Sequence, residues 1–387
     1  MKLRLTLLVV LVLFLSRLAN AFLPDTLESR TIIPGVVCTH YALPGPFNLN
    51  VIQVDLRRPD IRMETYRPNG LSKTSVQTSE NDREGHRVVA AVNADFFSFE
   101  TGWPVGNQVQ NGKPVICDTS SRSQLAISVD GRPLIGRYSF HGVVIAKDGT
   151  TSTLSSVNGS ARRTGLVFYT SHRGSATKRD SSVTERPLNL LSPRWVMNDT
   201  LLFLAGPGSA GGMLTIPRDG GVISAIREGP LNFISRSVST RDTLRIVFGI
   251  LPLTQRIDQL ISGAGRILNG GVNVSGESPL TEAIPPKFIT ARHPRTFVGI
   301  NSDTTRLYLC TVDGRQSTSL GMSFDEMASF LRSISVSDAF NLDGGGSTTM
   351  VLEGKIINSP SDSTGERPVA NTFQVIRTSK RQSEGRE

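Results

Sequence analysis

AFNLDGGGSTTM, residues 339–350, is the stretch from which the fold and the function of this chain can be worked out. Its apolar start predicts a short buried strand that ends at Asp343. Three glycines follow, and glycine accepts positive φ and lets a ligand approach the backbone closely. The N–H groups of such a run can also form an anion-binding nest. We therefore predict a ligand-binding loop; the alternative is a glycine-rich hairpin turn. The candidate residues of this loop are Asn341, Asp343, Gly344, Gly345, Gly346, Ser347 and Thr348.

The residues after the glycines are expected to fold back beside Asp343. Residues 350–358 predict a hairpin with a Glu-Gly turn. The loop SPSDSTGER, residues 359–367, follows directly. Because the hairpin reverses the chain, we expect this loop to return to Asp343. Glu366 and Arg367 are therefore candidate substrate-binding residues.

A second polar segment, AVNADFF at residues 91–97, follows an apolar run that predicts a buried strand. Asn93 and Asp95 have the same parity at the end of that strand, so both can face one cleft. The two phenylalanines that follow can line a sugar face or anchor the strand. Asp95 is therefore a candidate catalytic carboxylate, and Asn93 is a candidate sugar ligand.

A third polar segment, ARHPRT at residues 291–296, gathers Arg292, His293 and Arg295 before a predicted strand. The planar guanidinium group binds phosphate and carboxylate in a bidentate manner. Arg292 and Arg295 are therefore candidate phosphate ligands. The alternative is that they are solvated surface arginines.

The rest of the chain predicts an α+β fold of strand-rich mixed sheets with a few packed helices, in one large domain over residues 31–378. A capping box of Ser323 and Glu326 predicts a helix with one apolar face. A second helix around 254–261 is a weaker prediction. The tail, residues 379–387, has the composition of a disordered segment. Strands are predicted at 50–56 and 87–92, and Asp-Gly hairpin turns at 130–131, 148–149 and 313–314.

The first 21 residues predict a secretory signal peptide, with a basic start, an apolar core and an Ala-Asn-Ala cleavage site. The apolar core is only about 11 residues, too short for a membrane-spanning helix. We therefore expect a secreted or extracytoplasmic protein without a stable membrane span. The chain has 42 Lys and Arg residues against 33 Asp and Glu residues. No basic run interleaved with aromatic residues occurs, so we expect no nucleic-acid partner.

Several catalytic classes lack their sequence motifs. No two of the five histidines lie at i and i+4, no G-x-S-x-G occurs, and the glycine run lacks the G-K-[ST] ending. Zinc hydrolases, serine hydrolases and P-loop NTPases are therefore disfavoured. No cofactor is required by the sequence, but a divalent cation at Asp343 or Asp95 stays open. Of the three cysteines, Cys38, Cys117 and Cys310, at most one pair can be bridged, and Cys310 is expected to be a buried free thiol.

The order of these segments resembles the phosphodiester glycosidase family, over about residues 35–376. That family includes uncovering-enzyme-like N-acetylglucosaminidase domains and bacterial exopolysaccharide-biosynthesis-type relatives. Ala94 stands where the family commonly has glycine, and an alanine there can narrow the pocket or forbid positive φ. The blocks that carry the resemblance are AVNADFF, GWPVGNQVQNGKPV, GAGRILNGG, ARHPRTFVGI, TVDGR, AFNLDGGGSTTMV and SPSDSTGERPVANTF.

The resemblance implies hydrolysis of a sugar-1-phosphodiester at its anomeric bond, as in α-N-acetylglucosaminyl phosphodiesters, to free sugar and a phosphomonoester. Asp95 and Asp343 would be the catalytic carboxylates, and the separation of the two would decide between retention and inversion. Two alternatives remain open. One is a non-enzymatic glycan-binding or exopolysaccharide-processing protein of the cell envelope. The other is a phosphodiesterase that cuts the P–O bond, which usually needs two metal ions. The phosphate holders would be Arg292, Arg295, Gly344, Gly345 and Gly346, and the sugar holders Asn93, Asn341 and Ser347.

Overall fold

The computed structural model describes residues 25–43, 45–120, 122–159, 165–226 and 228–379. The predicted signal peptide and the tail beyond residue 379 lie outside this range. Strands make up 49% of the structure and helices 14%, so the fold is mostly β and not clearly α+β as the sequence predicted. The prediction overestimated the helices because most of them are single turns.

The first sheet has eight strands and holds the strand that leads into the predicted glycine loop. Its central strands are buried along nearly their whole length, which explains their continuous apolar sequences. In spatial order the strands are β1 (Asp25–Ile33), β2 (Val36–Leu43), β3 (Phe47–Asp55), β22 (Arg306–Val312), β21 (Arg295–Ile300), β23 (Asp338–Asn341), β19 (Arg266–Asn269) and β20 (Val272–Asn273).

A second group of strands closes on itself into a seven-stranded barrel, because its first and seventh strands also pair with each other. Aromatic side chains fill its interior, among them Phe168 and Phe248, whose ring centroids are 5.2 Å apart. In order around the barrel the strands are β14 (Thr200–Ala205), β17 (Thr243–Leu251), β10 (Ser139–Ile145), β11 (Thr151–Val157), β12 (Leu166–Thr170), β16 (Gly220–Ala225) and β13 (Arg179–Leu190); β15 (Ser209–Gly212) pairs with β13 outside the ring.

Two five-stranded sheets complete the fold. One contributes residues both to the core that includes the barrel interior and to the core beside the first sheet. The other packs its apolar face against the first sheet. The strands of the former are β7 (Lys113–Ile116), β6 (Gln108–Gln110), β18 (Ile257–Ser262), β8 (Ser123–Ser128) and β9 (Pro133–Arg137). Those of the latter are β25 (Lys355–Ile356), β24 (Met350–Leu352), β5 (His86–Asn93), β26 (Thr372–Thr378) and β4 (Ile61–Tyr66).

Short helices cover the outer faces of this framework. The longest, which packs on the first sheet, has the predicted capping box: Ser323 and Glu326 bond reciprocally at its N-terminus. The α-helices are α1 (Thr74–Asn81), α2 (Glu228–Asn232), α3 (Ser278–Glu282), α4 (Pro286–Thr290) and α5 (Phe324–Ser333); a π-helix, Phe233–Ser237, continues α2. No helix in the described ranges is long and apolar enough to cross a membrane.

Most of the local predictions are confirmed. The strands predicted at 50–56 and 87–92 are β3 and β5, and the turns at 130–131, 148–149 and 353–354 join antiparallel strands. The predicted helix at 254–261 is wrong, because these residues enter β18, which pairs with β8. The turn at 313–314 is also not a hairpin: it leads out of β22 towards α5, and Asp313 is buried among side-chain donors. Cys310 is a buried free thiol, as predicted, and Cys38 and Cys117 are free too.

Candidate active site

Four strand ends meet at the predicted site. The N–H of Asp343, just after β23, donates to the carbonyl oxygen of Ala94, just after β5, over 2.9 Å. The N–H of Ser262, at the end of β18, donates to the carboxylate of Asp95 over 3.1 Å. The fourth strand is β21. The carbonyl oxygen of Pro294, just before this strand, accepts a hydrogen bond from the N–H of Gly345 over 2.8 Å. Residues far apart in sequence thus form one polar cluster between the first sheet and its neighbours.

Asp95 is a fully buried carboxylic acid. One of its carboxylate oxygens accepts from Ser262, and the other has no hydrogen-bond partner within the described structure. Burial raises the pKa of Asp95 well above its usual value, although the amide of Asn371, the Ser262 N–H and the positive charges of Arg67 and Arg122 oppose the rise. Burial therefore favours the neutral, protonated form of Asp95, which can donate a proton.

Asp343 follows β23, and its N–H donates to the carbonyl oxygen of the residue before Asp95. Burial raises its pKa to about 6, and the hydroxyl of Ser347, the N–H of Gly344 and the charge of Arg367 limit the rise. Asp343 is therefore mostly ionised at neutral pH. Buried carboxyl groups with raised pKa values are candidates for the roles of general acid, general base or nucleophile.

The glycine loop is not the open nest of three N–H groups that the sequence predicted. The N–H of Gly344 donates to the Asp343 carboxylate over 3.0 Å, and the N–H of Gly345 donates to the Pro294 carbonyl oxygen. These two amides point into the protein, so they do not face a bound phosphate as expected. Gly346 is buried at the start of the turn that leads to Ser347.

Two guanidinium groups pack against these glycines instead. A Cβ atom at residue 346 would lie 2.5 Å from Nη2 of Arg367, and one at residue 345 would lie 3.2 Å from Nη2 of Arg315. Arg367 also binds the carboxylate of Asp362 through Nε over 2.7 Å. Arg315 is exposed and has no hydrogen bond or ion pair within the described residues. The loop 359–367 thus returns to Asp343, as predicted.

Sequence reasoning missed Arg315. It follows the Asp-Gly pair that was interpreted as a hairpin turn, and a turn residue gave no reason to look for a ligand. Its backbone is unusual, because a φ of +60° is strained for a non-glycine residue. Strain of this kind is concentrated at functional sites.

The structure gives Arg292 and Arg295 different roles from the predicted ones. Arg292 is 46% exposed at its side chain and forms an ion pair with Glu326 at the start of α5. Arg295 is buried, and its guanidinium donates to the carbonyl oxygens of Phe288, Ala291 and Met322. It also lies between the rings of Phe288 and Phe324. Both guanidiniums are therefore committed to the protein and not to an open cleft.

Two predicted substrate ligands also have protein partners. Asn93 donates to the Asp343 carbonyl oxygen over 2.6 Å and accepts from the hydroxyl of Thr296 and the N–H of Thr349, so it ties three segments together. Glu366 accepts from the N–H and the hydroxyl of Ser75 in the first turn of α1. Both side chains are satisfied without a substrate, which corrects the expectation that they hold one.

Asn341 is only partly satisfied. Its amide nitrogen donates to the carbonyl oxygens of Ala264 and Leu342, but its buried side-chain oxygen has no partner in the described structure. Thr348 is also buried, and its hydroxyl has no partner there either. Buried polar groups are normally bonded, so these atoms mark places where a ligand or water belongs.

Asn371 and Arg122 were not predicted. The side-chain oxygen of Asn371 accepts the Asp95 N–H over 2.9 Å. Its buried amide nitrogen is close enough to the Asp95 carboxylate to lower the pKa of Asp95 but has no well-aligned hydrogen bond in the described structure. The guanidinium of Arg122 lies over the ring of Phe96, 5.5 Å from its centroid, in the field of Asp95. Phe96 in turn contacts Phe288 edge-on. An amide next to a catalytic carboxylate is not visible as a motif in the sequence.

Ala94 does not need the positive φ that its place in the sequence suggested. Its side chain is buried in the apolar core. No group of three or more His, Cys, Asp and Glu residues among the described residues is placed to hold a metal ion.

Parts of this chain are similar to known proteins. Residues 203–376 match a family described as phosphodiester glycosidase. A segment of 111 residues, 27% of this chain, is 38% identical to N-acetylglucosamine-1-phosphodiester alpha-N-acetylglucosaminidase of Mus musculus. A segment of 87 residues, 22% of this chain, is 42% identical to an SPbeta prophage-derived uncharacterized protein of Bacillus subtilis.

These segments cover only 21% of the mouse protein and 13% of the Bacillus protein. The fold is shared more widely. A hypothetical protein from Synechocystis has a structure that superposes with a TM-score of 0.70 at 18% identity, over 92% of this chain and 64% of that one. A likeness at this low identity shows the fold alone.

Proposed function

Residues 203–376 belong to the phosphodiester glycosidase family, and on this premise we propose that the chain hydrolyses the anomeric C–O bond of a sugar-1-phosphodiester. The products are a free sugar and a phosphomonoester. The observation that carries the proposal is the pair Asp95 and Asp343, two buried carboxyl groups with raised pKa values on segments joined by the hydrogen bond from the Asp343 N–H to the Ala94 carbonyl oxygen. An α-N-acetylglucosaminyl phosphodiester is the substrate that the family points to.

The two carboxyl groups take different parts in the reaction. Ionised Asp343 stabilises the positive charge that develops at C1 as the bond to the phosphate oxygen breaks. The electron pair of that bond leaves with the phosphate oxygen, and protonated Asp95 donates a hydrogen bond within the same site. Water supplies the hydroxyl group at C1, and the proton that the water loses passes to the departing phosphomonoester. A phosphomonoester is a good leaving group, so a strong general acid such as histidine is not needed.

Arg315 and Arg367 are the residues that we propose as phosphate holders. Both guanidiniums lie against the glycine loop that follows Asp343, and Arg315 has unused donors. Arginine pairs with phosphate oxygens in a bidentate manner, which orients the diester as well as attracting it. Gly346 contributes by allowing the close approach of Arg367.

The sugar is held by the polar atoms that lack partners. Asn371 offers a donor, Asn341 an acceptor and Thr348 a hydroxyl group, and Ser347 lies beside the catalytic Asp343. A donor and an acceptor together match the carbonyl oxygen and the N–H of an N-acetyl group. This complementarity supports an N-acetylated sugar.

We further propose that the protein acts outside the cytoplasm. The support is the sequence of residues 1–21, with its basic start, apolar core and small-residue cleavage site. The described residues have no helix that could anchor the chain in a membrane.

The decisive experiment is hydrolysis of an N-acetylglucosamine-1-phosphate ester of a simple alcohol in ¹⁸O-labelled water. We expect free N-acetylglucosamine that carries the label and an unlabelled alkyl phosphate, because the C–O bond is cut. Label in a phosphate product, together with sugar-1-phosphate, would instead identify a phosphodiesterase that cuts P–O. No turnover with retained binding would identify a non-enzymatic glycan-binding protein.

Two variants connect this experiment to the site. Asp343→Asn should abolish turnover while it keeps the shape of the site, and Arg292→Ala should leave turnover unchanged because Arg292 pairs with Glu326 on the surface. Activity that survives in Asp343→Asn at the wild-type level would reject the assignment of the catalytic pair.

The glycan-binding alternative rests on a separate observation. The side chain of Phe99 is 75% exposed, contacts Phe97, and lies 5.7 Å from the guanidinium carbon of Arg367. An exposed aromatic ring next to the site suits a sugar platform, whether or not the bound glycan is cleaved.

A further inference from the structure

A second cleft lies away from the carboxylate pair. It has a volume of about 1450 Å³ and is formed by the connection between β3 and β4, the start of β5, the turn between β8 and β9, and the start of β18. Ligand pockets for small molecules are usually about 300–1,000 Å³, so this cleft is larger than one small ligand requires. The charged side chains that line it are Arg57, Arg58, Arg62, Arg83, Arg194, Glu64, Asp130 and Asp258.

The cleft and the catalytic site are at opposite ends of the same two strands. β5 begins at His86 in the cleft and ends at Asn93 beside the catalytic pair. β18 likewise runs from Asp258 in the cleft to Ser262, which binds Asp95. With about 3.3 Å per strand residue, the eight residues of β5 separate the two sites by roughly 20 Å or more. The cleft is therefore a site of its own.

Its arginines are available to a ligand. Arg62 and Arg83 have no carboxylate at ion-pair distance among the described residues, and both are exposed. Arg57 is held by Asp55 over 2.7 Å, but its side chain remains 64% exposed. Arg194 is 3.9 Å from Asp258 and 52% exposed. These ion pairs orient the guanidiniums and still leave donors facing the solvent.

The carboxyl group at the bottom of the cleft repels an anion less strongly than a fully ionised carboxylate would. Glu64 is buried there, 3.2 Å from Nε2 of His86. Burial and then the charge of Asp258 raise the pKa of Glu64 to about 7, so this carboxyl group carries only part of its charge at neutral pH. The rim, in contrast, keeps its positive charge at every physiological pH, because arginine does not lose its proton.

From this arrangement we propose that the cleft binds an acidic polysaccharide chain, one that carries phosphate, sulfate or carboxylate groups along its length. The guanidiniums come from separate segments around a wide opening and do not converge on one point, which suits several spaced anions better than a single ion. No Phe, Tyr or Trp is among the described residues that line the cleft, so bases of a single-stranded nucleic acid would find no stacking surface. This binding does not depend on the proposed hydrolysis.

The test measures binding of a heparin-derived octasaccharide by titration calorimetry at low and at physiological ionic strength. We expect binding to the wild-type protein and a loss of about tenfold or more in Arg62→Ala/Arg83→Ala, which corresponds to roughly 1.4 kcal/mol or more. The matched control is Arg179→Ala/Arg245→Ala, which removes the same charge from exposed strand positions elsewhere. It should bind as the wild-type protein does. Arg315→Ala should also leave this binding unchanged, although it should impair hydrolysis.

Several outcomes would overturn the proposal. They are no binding to the wild-type protein, an equal loss in the two double variants, or equal affinity for a neutral malto-octaose. Pyrophosphate that binds as tightly as the octasaccharide would show a single-ion site, and an equally tight single-stranded oligonucleotide would show a nucleic-acid site. Because Arg62 and Arg83 are exposed, thermal melts should show that the double variant folds normally. A failure of this test leaves the hydrolysis experiment untouched, and the reverse is also true.

Discussion

Replacement of Asp343 by asparagine should make the protein more stable and inactive at the same time. Asparagine has the same shape as aspartate and keeps an oxygen that can accept the N–H of Gly344. What it removes is a buried negative charge. Sites that hold a charge for catalysis are often strained in this way, so the two effects together distinguish a catalytic residue from a structural one.

The size of the stability effect follows from the pKa. Burial raises the pKa of Asp343 from 3.8 to about 6, so the folded protein binds this proton more tightly than the unfolded chain does. Above pH 6 the ionised carboxylate therefore destabilises the fold, by about 3 kcal/mol at 1.36 kcal/mol per pKa unit. The penalty declines as the pH falls through the folded pKa, and it is gone below the unfolded pKa of about 4.

The assay is urea unfolding of both proteins at pH 4, 6 and 8. We expect Asp343→Asn to raise the free energy of unfolding by about 3 kcal/mol at pH 8 and to leave it unchanged at pH 4. For a chain of this length the gain corresponds to a rise of roughly 4 °C in Tm. Turnover of the phosphodiester should fall by about 10²-fold or more. In the wild-type protein, kcat/KM should decline as the pH drops below about 6, since Asp343 then takes up its proton.

Asp303→Asn is the control of opposite sign. Asp303 is an exposed carboxylate whose pKa is lowered by hydrogen bonds from Thr305. Its replacement should reduce stability at neutral pH, and the reduction should vanish as the pH falls through the lowered pKa. A stability difference for Asp343→Asn that is the same at pH 4 and pH 8 would refute the reasoning from burial. A stabilised variant with full activity per folded molecule would refute the catalytic role.

Four other variants or products test the remaining assignments. Arg315→Ala should cost about 2 kcal/mol in kcat/KM on a phosphodiester and much less on a glycoside with a neutral, activated leaving group; equal losses in Arg292→Ala would show that general positive charge is what matters. Arg295→Ala should lower the free energy of unfolding by about 3 kcal/mol, because three carbonyl oxygens lose a buried donor. With the folded fraction measured by calorimetry, kcat/KM per folded molecule should be unchanged. Glu366→Ala should destabilise the protein by about 1 kcal/mol in urea unfolding through the loss of its bonds to Ser75 at the start of α1, and unchanged stability would contradict this. Intact-mass measurement of the exported protein should give an N-terminus at Phe22, whereas retention of residues 1–21 would reject the signal peptide.

The elements that could be predicted from the sequence are those whose cause is local. The helix α5 is marked by the reciprocal bonding of Ser323 and Glu326 within four residues. The Glu353-Gly354 turn is marked by its glycine, and both residues have positive φ in the structure, 49° and 78°. The barrel has no such mark, because it closes through the pairing of β13 with β14, which depends on the whole ring of strands. For the same reason residues 257–261 were wrongly predicted to be helical, since their strand forms by pairing with β8, which is distant in sequence.

The two catalytic candidates illustrate what a strand end reveals. Asp95 and Asp343 each follow an apolar run, and this was enough to propose both although they are 248 positions apart. The shifts of their pKa values could not be predicted. They depend on burial and on neighbours from other segments, such as Ser262 for the first and Arg367 for the second.

Arginines were assigned less well, for a reason that applies generally. Sequence shows that a basic residue is near a strand, but not which way the side chain leaves it. Arg295 is the first residue of β21 and projects among aromatic rings under α4 and α5, whereas Arg315 was ignored as part of a turn. The difference between a structural and a ligand-binding guanidinium is the presence of carbonyl oxygens around it, and only the fold supplies these.

The three glycines of the loop are explained by three separate contacts. A Cβ at Gly344 would lie 2.8 Å from the carbonyl oxygen of Pro294, which is too close for any side chain. Gly345 has a φ of +61°, which favours glycine, and faces Arg315. Gly346 leaves room for Arg367. A hairpin turn would need only the second of these conditions. The run therefore brings two guanidiniums against the backbone beside Asp343, where their positive charge offsets the repulsion between the ionised carboxylate and an entering anion.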